Sequence, residues 1–154
     1  ILNLGGNVEF SSDGSYSQKP DYVILVYGET PYAEGEGDID ELNFSNTNED
    51  LIKLLKDFSK KNISTISLFL TGRPLITDKE IKYSDSFVSI WLPGTAVEGM
   101  NDVIFSGSIN YDFKGKLSFS WPSTSSDNPL NYNDKNYSPK FEYGYGLTYK
   151  ETNE

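Results

Sequence analysis

The segment Gly28-Glu29-Thr30-Pro31-Tyr32-Ala33-Glu34-Gly35-Glu36-Gly37-Asp38 gathers four carboxylates, Glu29, Glu34, Glu36 and Asp38, into one short stretch. Like charges close together disfavour ionisation, so one member of such a set holds its proton more readily than an isolated carboxyl. A carboxylic acid protonated near neutral pH is the general acid that cleavage of a glycosidic bond requires. By residue types alone a solvated acidic loop accounts for the stretch as well. A bound calcium fits less well, because Gly35 to Asp40 lacks the ligand spacing of a helix-flanked calcium loop. Phosphate fits poorly too, since no Gly-rich turn leads into a helix and no Gly-Lys-Ser/Thr element is present.

Other residues carry two readings each. Tyr32 offers a ring face and a hydroxyl to a sugar, or packs beside the strand that precedes it. Arg73 ties down the acidic loop through charge-assisted hydrogen bonds, or closes a turn before Pro74. Trp91 and Trp121, each followed closely by proline, read as packing anchors rather than sugar platforms.

The elements that position these residues follow from hydrophobic pattern. Tyr22-Val23-Ile24-Leu25-Val26-Tyr27 is a continuous apolar run of the kind found in parallel strands covered on both faces. In open parallel sheets ligands bind beyond the carboxyl ends of the strands, which is where the acidic loop departs. Asn48 can cap a helix with Glu49 and Asp50 in its first turn, Leu51, Leu54, Leu55 and Phe58 on its inner face, and Lys60 and Lys61 at its end. Thr65 to Leu70 reads as a second strand ending at Gly72-Arg73-Pro74, which completes a right-handed parallel strand-helix-strand unit. Phe87 to Leu92 reads as a third strand, Thr95 to Phe105 as a helix, and Lys116 to Trp121 as a short edge strand bounded by Pro122. Residues 123 to 140 read as an extended surface segment or lid, and the Tyr-rich stretch from Phe141 to Tyr149 as a docking element. Alternating strands and helices put the chain in the α/β class.

Composition sets the bounds. A chain of 154 residues fits one domain and buries roughly 70% of its unfolded surface. Its net charge of −10 repels nucleic acid and anionic membranes, which leaves a neutral ligand as the easier partner. There is no Cys and no His, so disulfides, Cys-His nucleophilic catalysis and zinc-hydrolase chemistry are not available from these residues. The start, Ile1-Leu2-Asn3-Leu4-Gly5-Gly6, has neither the basic region nor the apolar run of a signal peptide or membrane anchor, and reads as a cut or processed end.

The run from Asp21 to Asp38 resembles the acid/base region of glycoside hydrolase family 3. Further landmarks resemble that family in the same order: Thr71-Gly72-Arg73-Pro74, Trp91-Leu92-Pro93-Gly94-Thr95, Gly115-Lys116-Leu117-Ser118-Phe119-Ser120-Trp121-Pro122, and Phe141-Glu142-Tyr143-Gly144-Tyr145-Gly146-Leu147-Thr148-Tyr149. The resemblance covers most of the chain. It implies a mostly parallel sheet sandwiched by helices, a flavodoxin-like α/β sandwich, joined to a (β/α)8 barrel. The barrel would supply an Asp nucleophile, and this domain the acid/base carboxylate Glu34, which stands directly after the Pro-Tyr-small element. Tyr32 and Asp38 are then candidate substrate contacts, Glu29 and Arg73 supporting residues, and no metal or cofactor is implied.

The implied substrate is a β-linked glucoside or glucan cut from its non-reducing end, and Pro31-Tyr32-Ala33-Glu34 leans towards the exo-glucanase members. The alternative is a non-catalytic carbohydrate-binding or interaction module that keeps the fold, since fold does not fix function. The resemblance departs at the front, where only residues 1 to 20 precede the first clear strand. An incomplete sandwich with an exposed sheet edge is therefore expected, and with it a homo-oligomer. A periplasmic or secreted location is expected, with Asn43, Asn62 and Asn136 as glycosylation sequons if the host glycosylates.

Overall fold

The computed structural model of the chain describes residues 6–44, 48–105, 111–127 and 129–150. The elements run β1 (Tyr22–Gly28), α1 (Glu49–Lys60), β2 (Ser64–Leu70), α2 (Asp78–Lys82), β3 (Ser86–Ser89) and α3 (Glu98–Ile104), with a short 3-10 turn at Ser125–Asp127. The three strands form one parallel sheet in the order β1-β2-β3. Tyr22 pairs with Ser64 and Gly28 with Leu70, so β1 and β2 end level with each other and their following loops emerge side by side.

Side chains alternate across a strand, which puts Thr65, Ser67 and Phe69 on one face of β2. All three are essentially inaccessible. Phe69 sits edge-on to Phe44 with ring centroids 4.9 Å apart and packs with Leu42, Leu75 and Ile76, while Tyr27, Leu51 and Phe87 close the cluster. Helix α1 forms where expected, with Glu49 and Asp50 at its start and Lys60 at its end, an arrangement that opposes the helix dipole. Asn48 occupies the N-cap position without a capping hydrogen bond from its side chain, and its amide donates instead to Phe44 O over 3.3 Å.

The inner face of α1 differs from the expected one by Ile52, which is buried with Leu55 and Phe58. Leu54 faces elsewhere: it lies so close to Gly14 that a Cβ there would approach it to 2.5 Å. The segment before β1 thus meets α1 at Gly14, and Lys19 Nζ adds a hydrogen bond of 2.9 Å to Lys61 O beyond the helix end.

Several expectations are corrected. β1 is parallel but is not covered on both faces, with Tyr22 45% and Val26 62% exposed, and among the described residues it lies at the sheet edge. β3 stops at Ser89 rather than Leu92, because Trp91 adopts a left-handed φ of 53° that turns the chain out of the sheet. Helix α2, absent from the sequence reading, is a single polar turn too short to show a period. Lys116 to Trp121 is no strand. It touches the tail antiparallel at two separate points, Leu117 with Gly144 and Tyr145, and Trp121 with Lys140 and Phe141. Gly144, with φ of 83°, bends the partner segment between those points.

The tail docks as expected. Phe141 stacks on Tyr145 at 4.6 Å, and the Tyr149 hydroxyl donates towards the carbonyls of Val103 and Ile104 at the end of α3, over 2.6 and 3.1 Å. Orphan carbonyls at a helix C-terminus require such partners.

Candidate functional site

Gly28 ends β1 against Leu70, and the Glu29 amide extends the pairing by one hydrogen bond of 3.1 Å to Leu70 O. This delivers the Glu29 carboxylate to the loop that leaves β2. Its Oε2 accepts from Thr71 Oγ1 at 2.7 Å and from the Gly72 amide at 3.1 Å, and its Oε1 lies 3.0 Å from Arg73 Nε. The Nε contact is an ion pair without the alignment of a full hydrogen bond. Both side chains are largely shielded, at 13% exposure for Glu29 and 18% for Arg73. Glu29 is therefore charge-matched inside the loop pair and stands apart from the other acidic residues of its stretch.

Arg73 makes two further contacts. Its Nη1 donates to the carbonyl of Gly37, and its guanidinium carbon lies 4.0 Å from the centroid of the Tyr32 ring. Arginine is suited to this combination, since a planar fork pairs and stacks at once. Tyr32 is threaded between two glycines. A Cβ on Gly37 would meet its ring at 2.5 Å, and a Cβ on Gly72 would meet its hydroxyl at 2.6 Å. Tyr32 as a residue stays 43% exposed, but the ring face under Arg73 is not open to a sugar.

Between Tyr32 and Gly37 the chain makes a tight turn, with Gly37 N donating to Ala33 O over 2.9 Å and Asp38 N to Gly35 O over 3.1 Å. Gly35 takes φ of 85°, a conformation in which an L side chain is strained. Glu34 opens this turn with its side chain exposed, and Glu36 and Asp38 are exposed as well. Among the described residues no group of three or more acidic side chains comes together in a way that could hold a metal ion. An exposed carboxylate on a pinned turn at the carboxyl edge of a parallel sheet is placed to give or take a proton from a molecule that covers that edge.

All five residues singled out from the sequence thus lie on two adjacent loops. Arg73 touches both Glu29 and Tyr32, and Glu34 and Asp38 sit on the turn that follows Tyr32. The sequence reading gave no role to Thr71, Gly72 or Gly37. The Thr-Gly-Arg-Pro run marks a turn after a strand, but the need for a missing Cβ at residues 37 and 72 arises only where Tyr32 crosses both. Trp91 and Trp121 pack with ring centroids 6.0 Å apart, and Trp121 is 4% exposed, which agrees with packing anchors.

Comparison with known proteins adds the lineage. The model of the glycosyl hydrolase family 3 C-terminal domain matches residues 5–149. A lysosomal beta glucosidase of Dictyostelium discoideum is 32% identical over 146 residues, covering 89% of this chain and 17% of its own length. A periplasmic beta-glucosidase of Salmonella typhimurium is 28% identical, covering 86% and 20%. The crystal structure of an exo-1,3/1,4-beta-glucanase from a Pseudoalteromonas species superposes with a TM-score of 0.90 at 47% identity, over 97% of this chain and 19% of that one. A beta-glucosidase of Listeria innocua superposes with a TM-score of 0.71 at 25% identity, over 92% and 23%. The chain spans about a fifth of the length of these relatives.

Proposed function

This chain belongs to glycosyl hydrolase family 3 as its C-terminal domain, and from that premise we propose that it contributes the acid/base carboxylate of a retaining β-glycosidase acting on β-glucosides or β-glucans from the non-reducing end. The observation that carries the reading is Glu34, exposed on a turn pinned beyond the carboxyl end of β1. The exo-glucanase and β-glucosidase names of the relatives support the substrate class.

Retaining hydrolysis needs two carboxyl groups about 5 to 5.5 Å apart, one to attack the anomeric carbon and one to protonate the leaving oxygen and then to deprotonate water. Glu34 serves as the second. The first is an Asp of a (β/α)8 barrel that meets this edge of the sheet, so the isolated chain does not hydrolyse glycosides. Asp38, and the part of the Tyr32 ring that Arg73 leaves open, are the sugar-facing groups in this reading, with Glu29 and Arg73 in support. The setting is periplasmic or secreted, as the periplasmic and lysosomal names of two relatives suggest. The exposed β1 edge favours self-association of the isolated chain, and a monomeric sedimentation profile at high concentration would count against that.

The test uses the full-length protein with Glu34→Gln. Hydrolysis of methyl β-glucoside, whose leaving group needs a proton, is expected to fall by about 100-fold or more, while 2,4-dinitrophenyl β-glucoside, whose leaving group does not, keeps most of its glycosylation rate. Equal losses on both substrates would overturn the role of Glu34. Turnover of an aryl β-glucoside by the isolated chain, abolished by the same substitution, would overturn the need for a second domain.

A further inference from the structure

We propose that Arg73 is a positioning residue for the acid step, fixing the turn that carries Glu34 through Tyr32 and the Gly37 carbonyl; the inference rests on the acid/base reading of Glu34. Its guanidinium is anchored first. Nε faces Glu29, and Glu29 is itself held at the end of β2 by Thr71 and by the Gly72 amide. The same guanidinium then reaches both ends of the turn, covering the Tyr32 ring at 4.0 Å and donating to Gly37 O. Tyr32 precedes Glu34 by two residues and Gly37 follows it by three.

The turn has little else to hold it. Among the described residues its backbone is closed by the two hydrogen bonds from Gly37 N and Asp38 N, and it contains Gly35 and Gly37, residues with many accessible conformations. Without the clamp Glu34 would sample positions on the order of 1 Å apart, a displacement that lowers a positioned catalytic step by about 100-fold. The glycines are part of the device, since a side chain at residue 37 or 72 would push Tyr32 out from under Arg73. Lysine cannot replace the arginine, because a single ammonium cannot face Glu29, bond Gly37 and cover a ring together.

The experiment measures kcat/KM of the full-length protein for methyl β-glucoside and for 2,4-dinitrophenyl β-glucoside in Arg73→Lys, Tyr32→Ala and Tyr32→Phe, with thermal midpoints of each. In Arg73→Lys and Tyr32→Ala the methyl glucoside is expected to lose about 10- to 100-fold more than the activated one. Tyr32→Phe keeps the ring under Arg73 and is expected to show a smaller gap between the two substrates than Tyr32→Ala does. Losses that are equal on both substrates, or no loss at all, overturn the inference. If Arg73→Lys does not fold, the contrast between Tyr32→Ala and Tyr32→Phe decides in its place. Glu34→Gln measured alongside separates the two layers. Should it spare the methyl glucoside, the acid/base reading falls; should it be selective while Arg73→Lys and Tyr32→Ala are not, the positioning role alone falls.

Discussion

Trp121 donates its indole N–H to the backbone carbonyl of Leu75 over 2.8 Å, and both residues are buried. One hydrogen bond thereby joins the segment after β2, which carries Arg73, to the segment that pairs with the tail. Around it Trp91 and Phe141 pack on the same indole, with ring centroids 6.0 and 6.3 Å away.

Trp121→Phe keeps most of the apolar volume but orphans the Leu75 carbonyl in a buried site. The expected loss is about 1 to 3 kcal/mol, the penalty for a buried acceptor left without a donor. Urea denaturation followed by far-UV circular dichroism reads it, and a change below about 0.5 kcal/mol would mean that water replaces the indole.

Gly28→Ala is expected to destabilise by about 1 to 3 kcal/mol, because its Cβ would stand 2.1 Å from Leu70 O on the paired strand. The collision is with backbone, which cannot swing aside, so the carboxyl end of β1 separates from β2. Amide exchange at Glu29, which bonds the same carbonyl, should accelerate. Gly99→Ala is the opposite case. Gly99 lies within α3 with nothing within 4 Å of a Cβ, so a gain of about 0.5 to 1 kcal/mol is expected there.

Gly35→Ala meets no neighbour within 4 Å but must hold φ of 85°. The strain is local and of about 1 to 2 kcal/mol, and Gly35→Asn, which tolerates that conformation, should lose less. In the full-length protein the alanine variant is expected to impair poor leaving groups more than the asparagine variant does, measured by the same pair of glucosides. Identical kinetics in the two would show that the turn conformation does not set the position of Glu34.

Burial pushes the Tyr27 hydroxyl up from 10.0 to about 12, with the Glu80 carboxylate adding to the shift. A group with a raised folded-state pKa contributes its stability below the unfolded value and loses it as pH climbs towards the folded one. Between about pH 10 and 12 the unfolded chain releases this proton while the folded protein retains it, so folding weakens. From pH 9 to 11 the protein should lose about 1 kcal/mol more than Tyr27→Phe does. Parallel declines in the two urea-midpoint series would refute this.

The local elements were legible in the sequence wherever pattern and local physics agree. The apolar run of β1, the charge-flanked amphipathic α1 and the run of β2 into Thr71-Gly72-Arg73-Pro74 needed no distant partner to be recognised, and the order of the landmarks is the ground on which Glu34 is proposed among four carboxylates. α2 and the end of β3 were not legible. One is a turn shorter than a period, and the other is set by Trp91 in a conformation that no residue type announces.

What the residues by themselves determined is a class and a lineage: alternating strands and helices, an acidic loop at the carboxyl edge, and a family order of motifs. Only the tertiary structure decided which acidic side chain is ion-paired, Glu29, and which stay exposed, Glu34 with Glu36 and Asp38. Glu29 turns inward to Arg73, and Glu34 remains exposed on the turn. Tyr32 and Gly72 are 40 positions apart in the chain, and the register of β1 on β2, which sets Gly28 beside Leu70, starts their two loops side by side. The side chain that Gly72 lacks is the space the Tyr32 hydroxyl fills, a relation between two loops that neither contains by itself.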